Sequence, residues 1–207
     1  MAAILLDFDG TIADSFDFVV GFLEKHVRRG RLLEPHEKDK LRGMTMQEMA
    51  THLGCPKWKL PLLFLIGRYS MGRIIYNVPL FEGMGKVIEQ LHAEGHEPII
   101  VSSNNVRNIK KFLKQHHLHK YFVDIYGNAG FFGKERAIRR TLARNHVAQK
   151  DAVYIGDESR DVIGAHGAEV RVIAVTWGFD RADLLASHNP TALAGKPQDI
   201  ITILEEI

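Results

Sequence analysis

Apolar runs and helical stripes alternate along most of this chain. Ala3-Ile4-Leu5-Leu6 is the first run, and Pro98-Ile99-Ile100-Val101, Phe122-Val123-Asp124-Ile125-Tyr126, Ala152-Val153-Tyr154-Ile155 and Val170-Arg171-Val172-Ile173-Ala174-Val175 come after it. Their length and their β-branched and aromatic content predict buried strands. Helical spacing fills the gaps. Met84, Val87, Ile88 and Leu91 fall at i, i+3, i+4 and i+7, and Gly95 supplies a stop. Asn104 or Asn105 can cap a helix carrying Val106, Ile109 and Leu113, while Ala137, Ile138, Thr141 and Leu142 suggest another. Pro197 opens a last helix with Ile200, Ile203, Leu204 and Ile207. Such alternation predicts an α/β fold, a parallel sheet with helices on both faces.

The stretch 16–78 breaks this rhythm. Phe16, Val19, Val20, Leu23 and Val27 form a helical stripe, no strand pattern comes after it, and Leu41-Arg42-Gly43-Met44-Thr45 reads as a loop between helices. We expect a core of residues 1–15 and 79–207 with an all-helical insertion at 16–78. Hinges are expected near Ala13-Asp14-Ser15 and Val78-Pro79-Leu80. Leu60 to Ile66 is apolar but far shorter than the roughly 20 residues of a membrane span, so it predicts a buried helix. Trp58 and Leu60 to Phe64 suit either the core of the insertion or a contact between two copies, leaving monomer and homodimer both open.

Composition narrows the classes. At 207 residues, 45% apolar and formal net charge +2, the chain suits one globular core with a small insertion. The balanced charge argues against a nucleic-acid binder, and Arg28-Arg29-Gly30-Arg31 and Lys110-Lys111 are too short to change that. Cys55 is the sole cysteine, which excludes an internal disulfide and fits a reducing cytoplasm. The first residues lack a basic n-region and their apolar run breaks at Asp7, so neither a signal peptide nor a membrane partner is expected. Gln115-His116-His117-Leu118-His119 sits at a predicted helix end, where histidine suits the helix dipole, and we expect no metal there.

The polar residues that carry chemistry stand just beyond the strand ends. Asp7-Phe8-Asp9-Gly10-Thr11 comes after the first strand, Ser102-Ser103-Asn104 after the second, and Gly156-Asp157-Glu158-Ser159-Arg160-Asp161 after the run ending at Ile155. Gly133-Lys134 opens the helix before that last strand. In a parallel sheet the carboxyl ends of strands share one edge, where ligands bind, so these groups can converge. Two close carboxylates ask for a cation or a shared proton. One carboxylate can act as nucleophile, a second can move protons, and a third can complete an oxygen-only magnesium site. A hydroxyl and a lysine can absorb phosphoryl charge. Taken singly, Asp157 suits a turn, Ser102 a helix cap and Lys134 a solvated face.

In this order the motifs resemble those of haloacid dehalogenase-superfamily hydrolases of the phosphatase type with a helical C1 cap. Asp7 to Thr11 resembles the family's first motif, Ser102 the second, Gly133-Lys134 the third and Gly156-Asp157-Glu158 through Asp161 the fourth. Thr176-Trp177-Gly178-Phe179, after the last expected strand, resembles phosphoglycolate phosphatase-like members. The resemblance implies a three-layer Rossmann-like core, with residues 16–78 as the cap. It implies that Asp7 attacks phosphorus and that Asp9 serves as general acid and then base. Magnesium would be held by Asp7, the backbone carbonyl of Asp9 and Asp157. Gly10, Thr11, Ser102, Ser103 and Asn104 would surround the phosphoryl group, the hydroxyl being that of Ser102 or Ser103. Lys134 would balance Asp7, Asp161 would orient Lys134 or assist the metal, and Glu158 is either near the metal or a surface acid. Arg42 and Gly43 in the cap loop would meet an anionic leaving group, or Arg42 would touch only solvent; Arg68 and Arg73 are similar candidates. A small phosphorylated metabolite is the implied substrate, with phosphoglycolate the first choice. A β-phosphoglucomutase-like phosphomutase, a signalling receiver domain and a non-catalytic phosphate-binding protein are the competing readings.

Overall fold

The structure, a computed structural model, describes residues 2–129 and 133–207; for Met46, Phe64, Arg68, Tyr69, Met71, Arg73 and Ile74 only the backbone is described. Strands β1 (Ala3–Leu6), β2 (Glu97–Val101), β3 (Asp124–Tyr126), β4 (Ala152–Gly156), β5 (Arg171–Val175) and β6 (Ala192–Ala194) form one sheet in the order β3-β2-β1-β4-β5-β6. Every neighbouring pair is parallel. β1 lies between β2 and β4, with Leu6 opposite Ile100 on one side and Ile155 on the other.

Alternation along β1 divides the core into two layers. Ile4 and Leu6 join a cluster with Val87, Ile88, Ile109, Phe112 and Ile200. These come from α5 (Met84–Ala93), α6 (Val106–Gln115) and α10 (Asp199–Glu206). Ala3 and Leu5 join Ile138, Val162, Val172 and Leu185 on the other face, supplied in part by α7 (Lys134–Arg144), α8 (Ser159–Gly167) and α9 (Ala182–Ser187). The fold is therefore the expected three-layer, Rossmann-like α/β arrangement.

Three expectations need correction. The third strand is only Asp124–Tyr126, because a 3-10 turn occupies His119–Tyr121 and Val123 is 54% exposed. β5 is not the last strand: α9 and β6 come after it, and Ala192-Leu193-Ala194 is too short and too poor in β-branched residues to announce itself. The final helix starts at Asp199, not Pro197.

Between β1 and α5 the described residues form α1 (Phe16–His26), α2 (Pro35–Leu41), α3 (Met46–His52) and α4 (Leu60–Ile74), with no strand. Phe16, Val20, Leu23, Leu41, Met49, Leu60 and Leu63 form a third cluster, which Phe179 joins from beyond β5. The apolar run of α4 is only half buried: Leu60 and Leu63 face inward, whereas Leu62 and Leu65 are exposed, as is Trp58 in the 3-10 turn before the helix. The two chain crossings run side by side, with Ala13 bridged antiparallel to Leu80 and the Asp14 N–H donating to the Pro79 carbonyl at 2.9 Å. No helix among the described residues is long and apolar enough to cross a membrane.

Phe112 is fully buried and meets Phe8 edge-on at 5.1 Å. Phe112→Ala should therefore cost about 3–5 kcal/mol, while Trp58→Ser on the surface should change stability by no more than about 0.5 kcal/mol. Guanidinium denaturation of the two variants checks this; equal midpoints would contradict the packing described.

Candidate active site

β1 ends by handing its register to Asp7, whose N–H donates to the Ile155 carbonyl at 2.9 Å. Phe8 is driven into the core, so Asp7 and Asp9 leave the strand on either side of a fixed aromatic anchor. Asp7 is nearly fully buried; its Oδ1 accepts from the Phe8 N–H at 2.7 Å and its Oδ2 from Lys134 Nζ at 2.8 Å. Lys134, first residue of α7, also pairs with Asp161 Oδ1 at 2.8 Å and donates to the Tyr154 hydroxyl at 2.8 Å. The Tyr154 hydroxyl in turn donates to the Val101 carbonyl at 3.1 Å. One ammonium thus ties the ends of β1, β2 and β4 to the starts of α7 and α8.

Asp157 stands after β4 and is fully buried. Its Oδ1 accepts from Thr11 Oγ1 at 2.7 Å and its Oδ2 from the Phe179 N–H at 2.8 Å. Gly10 has φ +79°, and a Cβ there would lie 2.0 Å from Asp157 Oδ2, so glycine supplies both the turn and the room. Asp7, Asp157 and Asp161 can each offer one carboxylate oxygen within 4.8 Å of the others. Asp161 also caps α8, its Oδ2 accepting from the Glu158 N–H at 3.1 Å. Asp9 stands apart from that cluster: its Oδ2 accepts from Asn104 Nδ2 at 2.8 Å, and the buried Ser15 hydroxyl is a second partner of the carboxylate. Ser102 is the buried hydroxyl at the end of β2, accepting from the Asn104 N–H at 3.1 Å, whereas Ser103 is only partly buried.

The two acids of the first motif are pushed opposite ways. Burial raises Asp7, but the charges of Lys134 and Arg160 and the hydrogen bonds from Lys134 and the Phe8 N–H outweigh it, so Asp7 lies below the ordinary value. Burial raises Asp9 to about 6, helped by the charge of Asp7 and only partly offset by the hydrogen bonds of Asn104 and Ser15 and the charge of Arg160. Burial and then the charges of Glu158, Asp161 and Asp7 push Asp157 well above the carboxylate range. Burial also lifts Glu158 to about 7 despite the Arg160 guanidinium paired with it. Lys134 is lowered by burial but raised more by Asp161 and Asp7 and stays charged.

The remaining sequence candidates divide. Glu158 is not a surface acid; it is partly buried against Arg160. Arg42 is partly buried and does not touch only solvent: its Nη1 donates to the Gly178 carbonyl at 2.6 Å and its guanidinium lies 4.1 Å over the Phe16 ring. Gly43 donates its N–H to the Phe179 carbonyl at 3.0 Å. The Arg68 and Arg73 side chains lie outside the described residues. His116 packs on Phe112 at 4.4 Å, at the C-terminal end of α6. Sequence reasoning missed Tyr154 and Asp180 as site residues. Asp180 is buried and accepts from the Ser159 N–H at 2.6 Å. The signal for Tyr154 was present, because a tyrosine inside a buried strand must find a hydroxyl partner; Asp180, beyond the recognised motifs, gave none.

Fold and site define an α/β enzyme with carboxylates, a lysine and strand-end hydroxyls gathered at the carboxyl edge of a parallel sheet. The model of the haloacid dehalogenase-like hydrolases matches residues 4–175, and the chain belongs to that family, as a phosphatase. It is 29% identical over 209 residues to a phosphoglycolate phosphatase of Synechococcus elongatus, spanning 100% of this chain and 99% of that protein. Among solved structures, a haloacid dehalogenase-like family protein of Streptococcus pneumoniae superposes with a TM-score of 0.83 at 22% identity, covering 99% of this chain and 98% of the other. A Thermotoga maritima protein assigned as a β-phosphoglucomutase gives 0.75 at 18% identity, covering 100% of each chain. At these identities the structural likeness concerns the fold.

The acid shifts fix the sign of a pH effect. Asp9 and Glu158 bind protons more tightly folded than unfolded, from ordinary values of 3.8 and 4.5. In metal-stripped protein stability should therefore fall as pH rises from about 4 through about 7. His116, lowered chiefly by burial, works in the opposite sense. Melting in EDTA across that range checks this: the fall should be shallower in Glu158→Gln than in wild type, and an equal fall would refute the shift.

Proposed function

We propose that the protein is a magnesium-dependent phosphomonoester hydrolase of small phosphorylated metabolites, acting through an aspartyl-phosphate. The observation that carries this is the division of labour between two acids two residues apart. Asp7 is held ionised by Lys134, while burial raises Asp9 to about 6. Environments that push neighbouring carboxyl groups apart assign nucleophile and proton carrier. Asp7 attacks phosphorus as the ester oxygen leaves with the Asp9 proton. Asp9, now a carboxylate, takes a proton from water, which attacks phosphorus and releases phosphate and Asp7. Lys134, the Ser102 hydroxyl and the Thr11 and Asn104 region provide the charge and donors for the phosphoryl oxygens.

The donor set fits a hard divalent cation: oxygens only, with buried carboxylates whose mutual repulsion a cation would remove. Asp7, the Asp9 carbonyl and Asp157 would hold magnesium, with Asp161 left to hold Lys134. When bound, the ion supplies positive charge beside the transferring phosphoryl group. Residues 16–78 serve as a cap over the leaving group, hinged where Ala13 and Leu80 pair. Phosphoglycolate heads the substrates to test because the Synechococcus elongatus relative, aligned over essentially both chains, carries that name.

The test is phosphate release from a panel of phosphorylated metabolites with and without magnesium. Asp7→Asn should abolish release. Asp9→Asn should lose about 10²–10⁴-fold on alkyl phosphates and much less on p-nitrophenyl phosphate, whose leaving group needs no proton. Isomerisation of a sugar phosphate without phosphate release would favour a phosphomutase instead, and full activity in Asp7→Asn would refute the nucleophile.

A further inference from the structure

The loop joining α2 to α3 rests on the turn after β5, and that turn also holds Asp157. The contact runs through one peptide group. The carbonyl of Gly178 accepts from Arg42 Nη1 at 2.6 Å, and the N–H of the same Gly178–Phe179 peptide donates to Asp157 Oδ2 at 2.8 Å. The peptide is trans, so its C=O and N–H point in opposite directions from a rigid plane. It lies tight against the carboxylate: a Cβ on Gly178 would be 2.3 Å from Asp157 Oδ2. The loop is seated by two further contacts, the Gly43 N–H on the Phe179 carbonyl at 3.0 Å and the Phe16 ring edge-on to Phe179 at 5.4 Å.

We propose that Arg42 is a positioning residue for Asp157: docked on the Gly178 carbonyl, it fixes and polarises the Gly178–Phe179 peptide so that the Phe179 amide presents Asp157 to the metal. The inference rests on the reading of Asp157 as a metal ligand. A charged donor on the carbonyl end of a peptide strengthens the donor at its other end, and a planar unit transmits displacement without slack. An undocked loop frees the peptide to rotate, and Asp157 then loses one of its two fixed hydrogen bonds. Coupling of this kind is reciprocal, so metal binding must favour the docked loop by the same factor. Arg42 thereby links the helical insertion to the metal side of the site without touching substrate.

The test measures metal binding with no substrate present, using Mn²⁺ as the probe and titrating wild type, Arg42→Ala, Phe16→Leu and Asp157→Asn. Arg42→Ala and Phe16→Leu should both weaken Mn²⁺ binding by about fivefold or more, the range of ordinary coupling. Magnesium should slow hydrogen exchange at the Gly43 amide in wild type but not in Arg42→Ala. Unchanged Mn²⁺ affinity in both variants would overturn the proposal, including the case where KM alone rises and Arg42 acts on substrate. Absence of Mn²⁺ binding in wild type, or equal binding in Asp157→Asn, would overturn the metal reading beneath it as well.

Discussion

Burying carboxylates at the end of a sheet is the constraint on which this structure turns. Asp7, Asp157 and Asp161 are 2% exposed or less, and each would cost several kcal/mol to bury as an isolated ion. Lys134 is the fixed answer for two of them, bridging Asp7 and Asp161 at 2.8 Å each. Its own burial is tolerable because the Tyr154 hydroxyl accepts a further hydrogen bond from it. Asp157 pairs with no such cation among the described residues; it has hydrogen bonds from Thr11 and the Phe179 amide, and its raised proton affinity records what those bonds leave uncompensated. The imbalance is local to Asp157 and its neighbours, which is where positive charge is wanted.

Strand order makes the assembly possible. Residues 7, 102 and 157 are far apart in the chain, yet β1 lies between β2 and β4, so all three strand ends meet. The two apolar layers on either side hold β1 by its side chains, Ile4 and Leu6 against one, Ala3 and Leu5 against the other. Slippage of β1 by one residue would exchange these sets and turn the acids away from the edge. Core packing and active-site geometry are thus the same requirement on the first strand.

The same requirement decides how much of the molecule is legible in its sequence. β1 and the helices α5 and α6 were legible because their apolar spacing is set by two large cores. The acids, Ser102 and Lys134 were legible because each stands directly after a strand or at a helix start. β6 was not, since three residues of alanine and leucine carry no periodicity. Arg42 was legible as a residue of interest but not in its partner. The Gly178 carbonyl is a backbone group, and no side-chain pattern announces where a backbone carbonyl will face. The same holds for the Phe179 amide. Asp180 escaped for a related reason, as its role is to hold the Ser159 N–H and so is visible only once the turns after β4 and β5 lie together.

Stability and function therefore draw on one set of interactions in opposite senses. Packing alone would favour replacing the acid cluster by apolar groups, because buried ion pairs rarely out-stabilise a well-filled core. The chain instead keeps Asp9, Asp157 and Glu158 in surroundings that favour their protonated forms. For Asp9 that bias suits the proposed role, since a proton carrier must hold its proton near neutral pH. For Asp157 the bias is a deficit that any cation binding there removes, so binding energy appears in part as folding energy. A variant that relieved the repulsion, Glu158→Gln for example, would make the unliganded protein more stable while weakening the reason for a cation to bind.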